Sequence, residues 1–204
     1  MLEVLKNTTY RHLFLAQVIA LIGTGLITIA LALQAYDIAK EQAAQVLGIA
    51  LAIKMIAYIS VAPIASAFAE RLPRKKVLVG LDVIRALTAL CLPFVTQIWQ
   101  IYILIFILQS ASAAFTPTFQ AMIPEVLPIE EEYTKALSLS RLAYDLENII
   151  SPMLAGLLLT VMSYHNLFLG TVVGFIGSAL FVVSAKLPNA KMPEFIGVYN
   201  RIKQ

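Results

Sequence analysis

The sequence predicts an all-α integral membrane protein with six transmembrane helices, and three observations carry that expectation. Of its 204 residues, 60% are hydrophobic and only 13% charged, with a mean hydropathy of +0.83; a soluble domain is about 45–50% apolar and about 25% charged. Six apolar runs are each long enough to cross a hydrocarbon core of about 30 Å, which takes about 20 residues in a helix. The basic residues collect between those runs on alternate sides, as positive-inside topology requires. The same figures exclude a water-soluble globule and a disordered chain, and the single cysteine, Cys91, lies inside an apolar run and excludes a disulfide scaffold.

The first run, residues 12–36, continues at full span length without a small-residue cleavage pattern, so it reads as a retained helix rather than a signal peptide. Residues 37–43 lead to the second run, 44–68, and the basic stretch Arg71-Leu72-Pro73-Arg74-Lys75-Lys76 reads as the loop before the third, 77–95. Thr96 and Gln97 separate that run from the fourth, 98–122. The acidic stretch 124–134 reads as a loop before the fifth run, 136–162, and Ser163-Tyr164-His165-Asn166 as a turn before the sixth, 167–185. Beyond it, Pro188 and Pro193 precede a weakly amphipathic stretch that includes Phe195, Ile196, Tyr199 and Ile202 and is suited to the membrane surface.

Assigning the connections to alternate sides places eleven basic residues on one side: Lys6, Arg11, Arg71, Arg74, Lys75, Lys76, Lys135, Lys186, Lys191, Arg201 and Lys203. The other side has only Lys40. Both termini are therefore predicted to be cytoplasmic. The net charge of +3 and pI near 9.0 record this topology; a nucleic-acid partner would need a solvated basic face with readout groups, and none is expected.

Six charges fall inside the runs: Lys54 in the second, Asp82 and Arg85 in the third, and Arg141, Asp145 and Glu147 in the fifth. Unpaired, each costs roughly 2.5–3.5 kcal/mol at a helix centre, so together they would oppose insertion by about 15–20 kcal/mol. Three are acidic and three basic, which permits internal compensation. The spacing of three places Asp82 and Arg85 on one helix face, and Arg141, Asp145 and Asn148 share another. Arg141, near the end of its run, can snorkel toward water; Lys54 and Glu147 lie nearer the midplane. Intramembrane charges mark a substrate or ion pathway, or else a structural ion pair that fixes helix packing. Gln17, Thr24 and Thr28 on the first run are candidates for lining a substrate cavity. The stretch Gln109-Ser110-Ala111-Ser112-Ala113-Ala114 and the series Gly170, Gly174 and Gly177 read as close-packing surfaces.

Marks of enzyme chemistry are missing. The two histidines, His12 and His165, belong to opposite membrane ends, and no His, Cys and carboxylate set has metal-ligand spacing. Ser163 near His165 lacks an orienting acid, and no phosphate-cradling Gly-rich loop is present. No catalytic residue, metal or cofactor is expected, and any transport would draw its energy from an ion gradient or a partner.

The residues Ser66-Ala67-Phe68-Ala69-Glu70-Arg71-Leu72-Pro73-Arg74-Lys75 resemble the signature between helices two and three of the major facilitator superfamily, Gly-x-Leu-Ala-Asp-Arg-x-Gly-Arg-Arg. Ser66 stands for the first glycine, Glu70 for the aspartate and Pro73 for the second glycine, while Arg71, Arg74 and Lys75 match in charge. Arg11-x-x-Phe14-x-x-Gln17 followed by Gly23-Thr24 looks like the opening of helix one in the macrolide-efflux and siderophore-exporter branch. Pro117 with Gln120-Ala121-Met122-Ile123-Pro124 is similar to the end of helix four there. Ser151-Pro152-Met153-Leu154-Ala155-Gly156 resembles the helix-five motif Gly-Pro-x-x-Gly-Gly of antiporters, with Ser151 and Ala155 replacing two glycines. No basic residue lies between Ile98 and Met122, so the helix-four arginine of many drug/proton antiporters is absent.

The resemblance implies a twelve-helix fold in two six-helix halves, of which this chain supplies the amino-terminal one. Residues 1–186 would form a six-helix bundle of two three-helix repeats, about 1–95 and 96–186, and 187–204 the cytoplasmic start of an interdomain linker. It further implies a secondary active transporter of the plasma (cell inner) membrane, exporting small amphiphilic molecules by alternating access. Glu70, Arg71, Arg74 and Lys75 would act as a conformational latch, and Pro152 and Gly156 would let helix five bend or pack closely. The partners implied are the lipid bilayer, a small-molecule substrate and a carboxy-terminal six-helix half. Two alternatives stand beside this: a six-helix scaffold or regulatory subunit that moves nothing, and a transporter made of two copies of the chain.

Overall fold

A computed structural model describes residues 2–68 and 73–185, and among these the chain is all-helical, with no strand. A short 3-10 helix, Leu2–Lys6, precedes six α-helices: α1 (Thr8–Ala39), α2 (Ala43–Phe68), α3 (Arg74–Cys91), α4 (Ile98–Val126), α5 (Glu130–Leu159) and α6 (Tyr164–Ser184). A 3-10 turn at Lys40–Gln42 joins α1 to α2 in one helical stretch, Thr8–Phe68. That stretch and each of the four later helices are long and apolar enough to cross a membrane. The chain is a multi-pass membrane protein.

Helices overrun several of the predicted runs because polar residues at their ends continue the backbone hydrogen bonding. The Asn7 side chain caps α1, accepting from the Tyr10 amide at 3.1 Å, and α1 stops at Lys40, whose φ of 50° breaks the helix. With 32 residues, α1 is about 48 Å long, more than a bilayer core requires, so it tilts or projects from the membrane. The third run divides into α3 and a 3-10 helix, Leu92–Phe94. Pro63, Pro117, Pro124 and Pro152 all lie inside helices, as membrane helices tolerate when neighbours satisfy the freed carbonyls.

Two expected loops are corrected. In the acidic stretch, α4 continues through Pro124 to Val126 and α5 begins at Glu130, leaving only 127–129 outside a helix. Glu130, Glu131 and Glu132 form the first turn of α5, where the positive end of the helix dipole favours carboxylates. In the basic stretch, Arg74, Lys75 and Lys76 form the first turn of α3 behind Pro73. Cations are disfavoured at a helix start, and here two of them reach the carboxyl ends of neighbouring helices. Arg74 Nη1 donates to Glu125 and, at 2.7 Å, to the Ala121 carbonyl of α4. Lys75 Nζ donates to the Ala185 carbonyl just past α6 at 2.8 Å.

Within the bundle, α1 is central, packed along α6 and against α5; α2 lies on α4, and α3 on both α4 and α6. Near one membrane end, Tyr10, Leu13, Phe119, Met122 and Ile123 form an apolar core, with the Tyr10 hydroxyl donating to the Ala136 carbonyl at 3.0 Å. Toward the other end, Leu92, Leu167, Phe168 and Phe175 form a second core, near which Gln34 donates to the Leu92 carbonyl at 2.6 Å. Large apolar side chains such as Ile59, Phe94 and Val161 are at least three-quarters exposed, acceptable only in an apolar solvent.

Glycine permits two close approaches of α1 to its neighbours. At its crossing with α6, a Cβ on Gly174 would lie 3.3 Å from the Gly23 Cα and 3.2 Å from the Ile19 carbonyl oxygen, so the predicted glycine surface of the sixth run does pack against a helix. At the crossing with α5, a Cβ on Gly25 would fall 2.0 Å from the Ser151 Cβ. Gly156, by contrast, has nothing within 4 Å of where its Cβ would stand, and it does not serve close packing within this chain. Gly25→Ala is therefore expected to force α1 and α5 apart, with an overpacking cost of about 1–3 kcal/mol, seen as a lower unfolding midpoint of the purified chain in detergent. Adding Ser151→Gly to the same chain should restore the midpoint. A Gly25→Ala chain as stable as the parent would show that the crossing is not tight.

Candidate functional site: a polar cavity in the bundle

A cavity of about 720 Å³ opens between α2 and α5, with α1 and α4 behind it. α1 contributes Gln17, Thr24, Gly25 and Thr28; α2 contributes Lys54, Met55 and Tyr58. Arg85 of α3 and Phe115, Thr116 and Gln120 of α4 form the deep wall, and α5 adds Arg141, Tyr144, Asp145, Glu147, Asn148 and Pro152. Five of the six intramembrane charges thus converge on one space, from helices far apart in sequence.

The sixth, Asp82, stands behind the wall and anchors it. Asp82 is fully buried and Arg85 is 3% exposed. Arg85 Nη2 donates to one Asp82 oxygen, and Ser178 of α6 donates to the other at 2.7 Å. The guanidinium carbon lies 4.2 Å from the centre of the Phe115 ring and 4.6 Å from that of Phe175. Two aromatic faces on α4 and α6 thus replace part of the water the cation has lost, each contributing about 0.5–2 kcal/mol. Arg85 Nε has no hydrogen-bond partner among the described residues.

The three α1 candidates all line the cavity, but they differ in what they offer it. Gln17 is buried, and its amide exchanges hydrogen bonds with the Ser140 hydroxyl at 2.6 and 2.9 Å, so it clamps α1 to α5. Thr24 and Thr28 donate to the carbonyls of Ala20 and Thr24 one turn back, at 3.0 and 2.8 Å, and keep only acceptor capacity for a ligand. Lys54 and Glu147 border the same space, yet neither belongs to an ion pair among the described residues.

The latch candidates lie elsewhere. Arg74 and Lys75 are at the helix-end cluster already described, away from the cavity; Glu70, Arg71 and the predicted linker 187–204 lie outside the described residues. Pro152 lines the cavity and Gly156 does not. Several cavity residues give no signal in sequence: Tyr58, Thr116 and Tyr144 sit in apolar runs as isolated polar or amphipathic side chains, whereas Gln120 stands out only through the helix-four resemblance. The Tyr144 hydroxyl meets Thr116 Oγ1 at 3.0 Å, linking α5 to α4 across the cavity. Glu125, the partner of Arg74, was legible only as part of an acidic stretch. No three His, Cys, Asp or Glu side chains gather as a metal site among the described residues.

Removing one member of a buried pair leaves a lone charge, which costs about 3–5 kcal/mol, whereas removing both is far milder. Asp82→Asn and Arg85→Met are each expected to lower the unfolding midpoint and the yield of folded chain sharply. The double substitution should be more stable than either single one. Losses that simply add in the double variant would show that the two side chains do not act as a pair.

The family model for the Major Facilitator Superfamily matches residues 13–198. Macrolide efflux protein A of Streptococcus pyogenes is 27% identical over 177 residues, which cover 84% of this chain and 43% of that protein. Macrolide efflux protein A of Enterococcus faecalis is 28% identical over 131 residues, covering 62% of this chain and 40% of that protein. An uncharacterized MFS-type transporter of Bacillus subtilis is 28% identical over 123 residues, covering 60% of this chain and 28% of that protein. The chain spans less than half the length of these curated relatives, and no solved structure matches it. Six packed membrane helices, a charge-lined cavity among them and a family match along nearly the whole sequence lead to one conclusion: the chain belongs to the Major Facilitator Superfamily.

Proposed function

We propose that this chain is the amino-terminal six-helix half of a secondary active transporter that exports small amphiphilic molecules by alternating access, and that its polar cavity is half of the substrate site. The observation that carries this reading is the uncovered face of α5. Only 17% of its most apolar stretch is buried within the chain, against 39–56% for those of Thr8–Phe68, α3, α4 and α6; α2, across the cavity, likewise buries only Ala43, Val46, Ala50 and Ala57. Arg141, Asp145 and Asn148 are exposed on α5, and such side chains are too costly to leave against hydrocarbon. A second six-helix half, with water between the halves, would cover them, and substrate sites between such repeats lie near the midplane. The names of the macrolide efflux relatives and the share of their length that is matched support export and a missing half.

In this reading residues 1–186 comprise two three-helix repeats, about 1–95 and 96–186, and 187–204 begin the linker to the second half. Both termini are cytoplasmic by the positive-inside rule, in a bacterial plasma membrane. The chain is not an enzyme; rocking of one half against the other is driven by an ion gradient. Arg74, with Glu70, Arg71 and Lys75, forms the latch, its tie to Glu125 fixing the latch to α4.

Cells that produce the chain together with the carboxy-terminal half of a full-length relative should retain less macrolide or fluorescent dye than cells that produce either piece, and a protonophore should abolish the difference. Export by this chain alone would overturn the need for a second half. In the assembled protein, Glu70→Ala or Arg74→Ala should slow export several-fold without reducing membrane insertion; unchanged rates would remove the latch.

A further inference from the structure

A groove of about 270 Å³ lies between the end of α3, with the 3-10 turn that follows it, and the first turns of α4. Cys91 and Phe94 form one wall, Trp99, Ile103 and Leu104 the other, and Gln100 supplies the one side-chain amide. The groove opens outward: Cys91 is exposed, and Phe94, Trp99 and Ile103 are 78%, 56% and 51% exposed. Ile103 and Ser112 are nine residues apart, two and a half turns, so they stand on opposite sides of α4. Ser112 lines the polar cavity, and the groove therefore faces away from that cavity and from whatever covers it.

Toward the middle of the membrane the groove continues as an apolar track. On α3 the exposed side chains Val83, Leu87 and Leu90 lead to Phe94 at spacings of four, three and four, which keep them on one face. On α4 the exposed Phe106 and Ile107 follow Ile103 one turn on. From Phe94 to Val83 the track is about 17 Å long, close to half of a hydrocarbon core of about 30 Å. It is one leaflet deep. Its rim is polar and oriented: the Gln100 side-chain carbonyl accepts from the amides of Thr96 and Gln97 at 3.0 and 3.1 Å. A backbone N–H can only donate, so these two bonds fix which end of the amide is oxygen. The Gln100 NH2 group is left with no partner among the described residues. Beside it the Trp99 indole donates to Gln97, an amphipathic ring of the kind that settles at the membrane interface.

We propose that this groove is a retained-lipid site, which holds one acyl chain of a phospholipid from the leaflet at that end while an ester carbonyl of the lipid accepts from the Gln100 NH2. The occupant follows from three features. The groove is continuous with the lipid-facing column of α3, its length matches one leaflet, and no charged side chain lines it. A charged ligand would find no counter-charge there, and a small solute from water would leave the inner part of the track bare. A lipid in this place differs from its neighbours in touching two walls and a polar anchor, so it binds in preference to detergent where they do not.

Trp99 is the chain's only tryptophan, so its fluorescence reports this groove alone. The purified full chain in detergent is titrated with a dibrominated phosphatidylcholine whose bromines, which quench indole on contact, lie near the ester end of one chain. Trp99 emission is expected to fall while the lipid is still a small share of the micelle, and unbrominated phosphatidylcholine should restore it. Val173 on α6, 69% exposed, supplies the comparison: a chain carrying Trp99→Phe and Val173→Trp should be quenched only in proportion to the lipid share. Cys91→Phe fills the groove from an exposed position and should move the Trp99 curve toward that of Val173→Trp, by about fourfold for each acyl methylene that loses its contact. Cys91→Leu serves the same end should the ring perturb the hairpin. Gln100→Glu keeps an acceptor for Thr96 and Gln97 but removes the donor, and should weaken quenching several-fold. Parallel curves for Trp99 and Val173→Trp, or a Trp99 curve unmoved by both Cys91 variants, would overturn the site. A curve unmoved by Gln100→Glu would overturn the ester contact. None of these outcomes depends on whether the assembled protein transports anything.

Discussion

A charge in hydrocarbon must find a partner or water, and that requirement organises this bundle. Asp82 and Arg85 meet it entirely within the protein: Asp82 accepts from Arg85 and Ser178, and Arg85 lies between Phe115 and Phe175. Those contacts tie α3 to both α4 and α6 at one buried point. The pair therefore acts as a rivet as well as a wall. Its geometry also fixes which side of Arg85 faces the cavity, because the aromatic faces and Asp82 occupy the others. The remaining charges, Lys54, Arg141, Asp145 and Glu147, meet the same requirement differently, by lining a space large enough for water.

At the helix ends a related rule operates through dipoles. The cations of the first turn of α3 oppose that helix's own dipole, and they are tolerated because α4 and α6 run in the opposite sense and end beside it. Arg74 reaches the last turns of α4, and Lys75 reaches the carbonyl just past α6. The alternating direction of the helices, written in the sequence as basic and apolar segments, thus reappears as a local cluster in which each cation stabilises the end of a neighbouring helix. The acidic first turn of α5 needs no such neighbour, since its carboxylates already face a favourable dipole.

The number and order of the helices were legible because hydropathy over about 20 residues is set by the bilayer itself. Their ends were not, because polar residues such as Glu130 or Arg74 can continue a helix beyond the membrane once a cap or partner is present. Likewise the charged lining of the cavity was visible residue by residue, since a charge in an apolar run stands out, whereas Tyr58, Tyr144 and Thr116 are too compatible with lipid or core to announce themselves. Gly156 stands out in the sequence through its motif and Gly25 does not, yet it is Gly25 that has a close neighbour, since motif position suggests where glycine is used and only packing tells which glycine is approached. Gln17 shows the converse: it does line the cavity, but Ser140, more than a hundred residues away, takes up its amide.

The packing also divides the bundle into unequal parts. α1, α3, α4 and α6 are joined through a close glycine crossing, the buried Asp82–Arg85 pair and two apolar cores. α5 is held mainly along one side of α1, by the Tyr10 bond to Ala136, the Gln17 clamp to Ser140 and the Gly25 contact with Ser151. Yet α5 carries the densest polar face of any span. That face is unsuited to lipid, and little of α5 is buried against the rest of the chain. Its position is consequently the one most dependent on whatever lies across the cavity, whether a second half, water or a ligand. The closely packed part of the bundle sets where the cavity is; α2 and α5 together set how wide it stands.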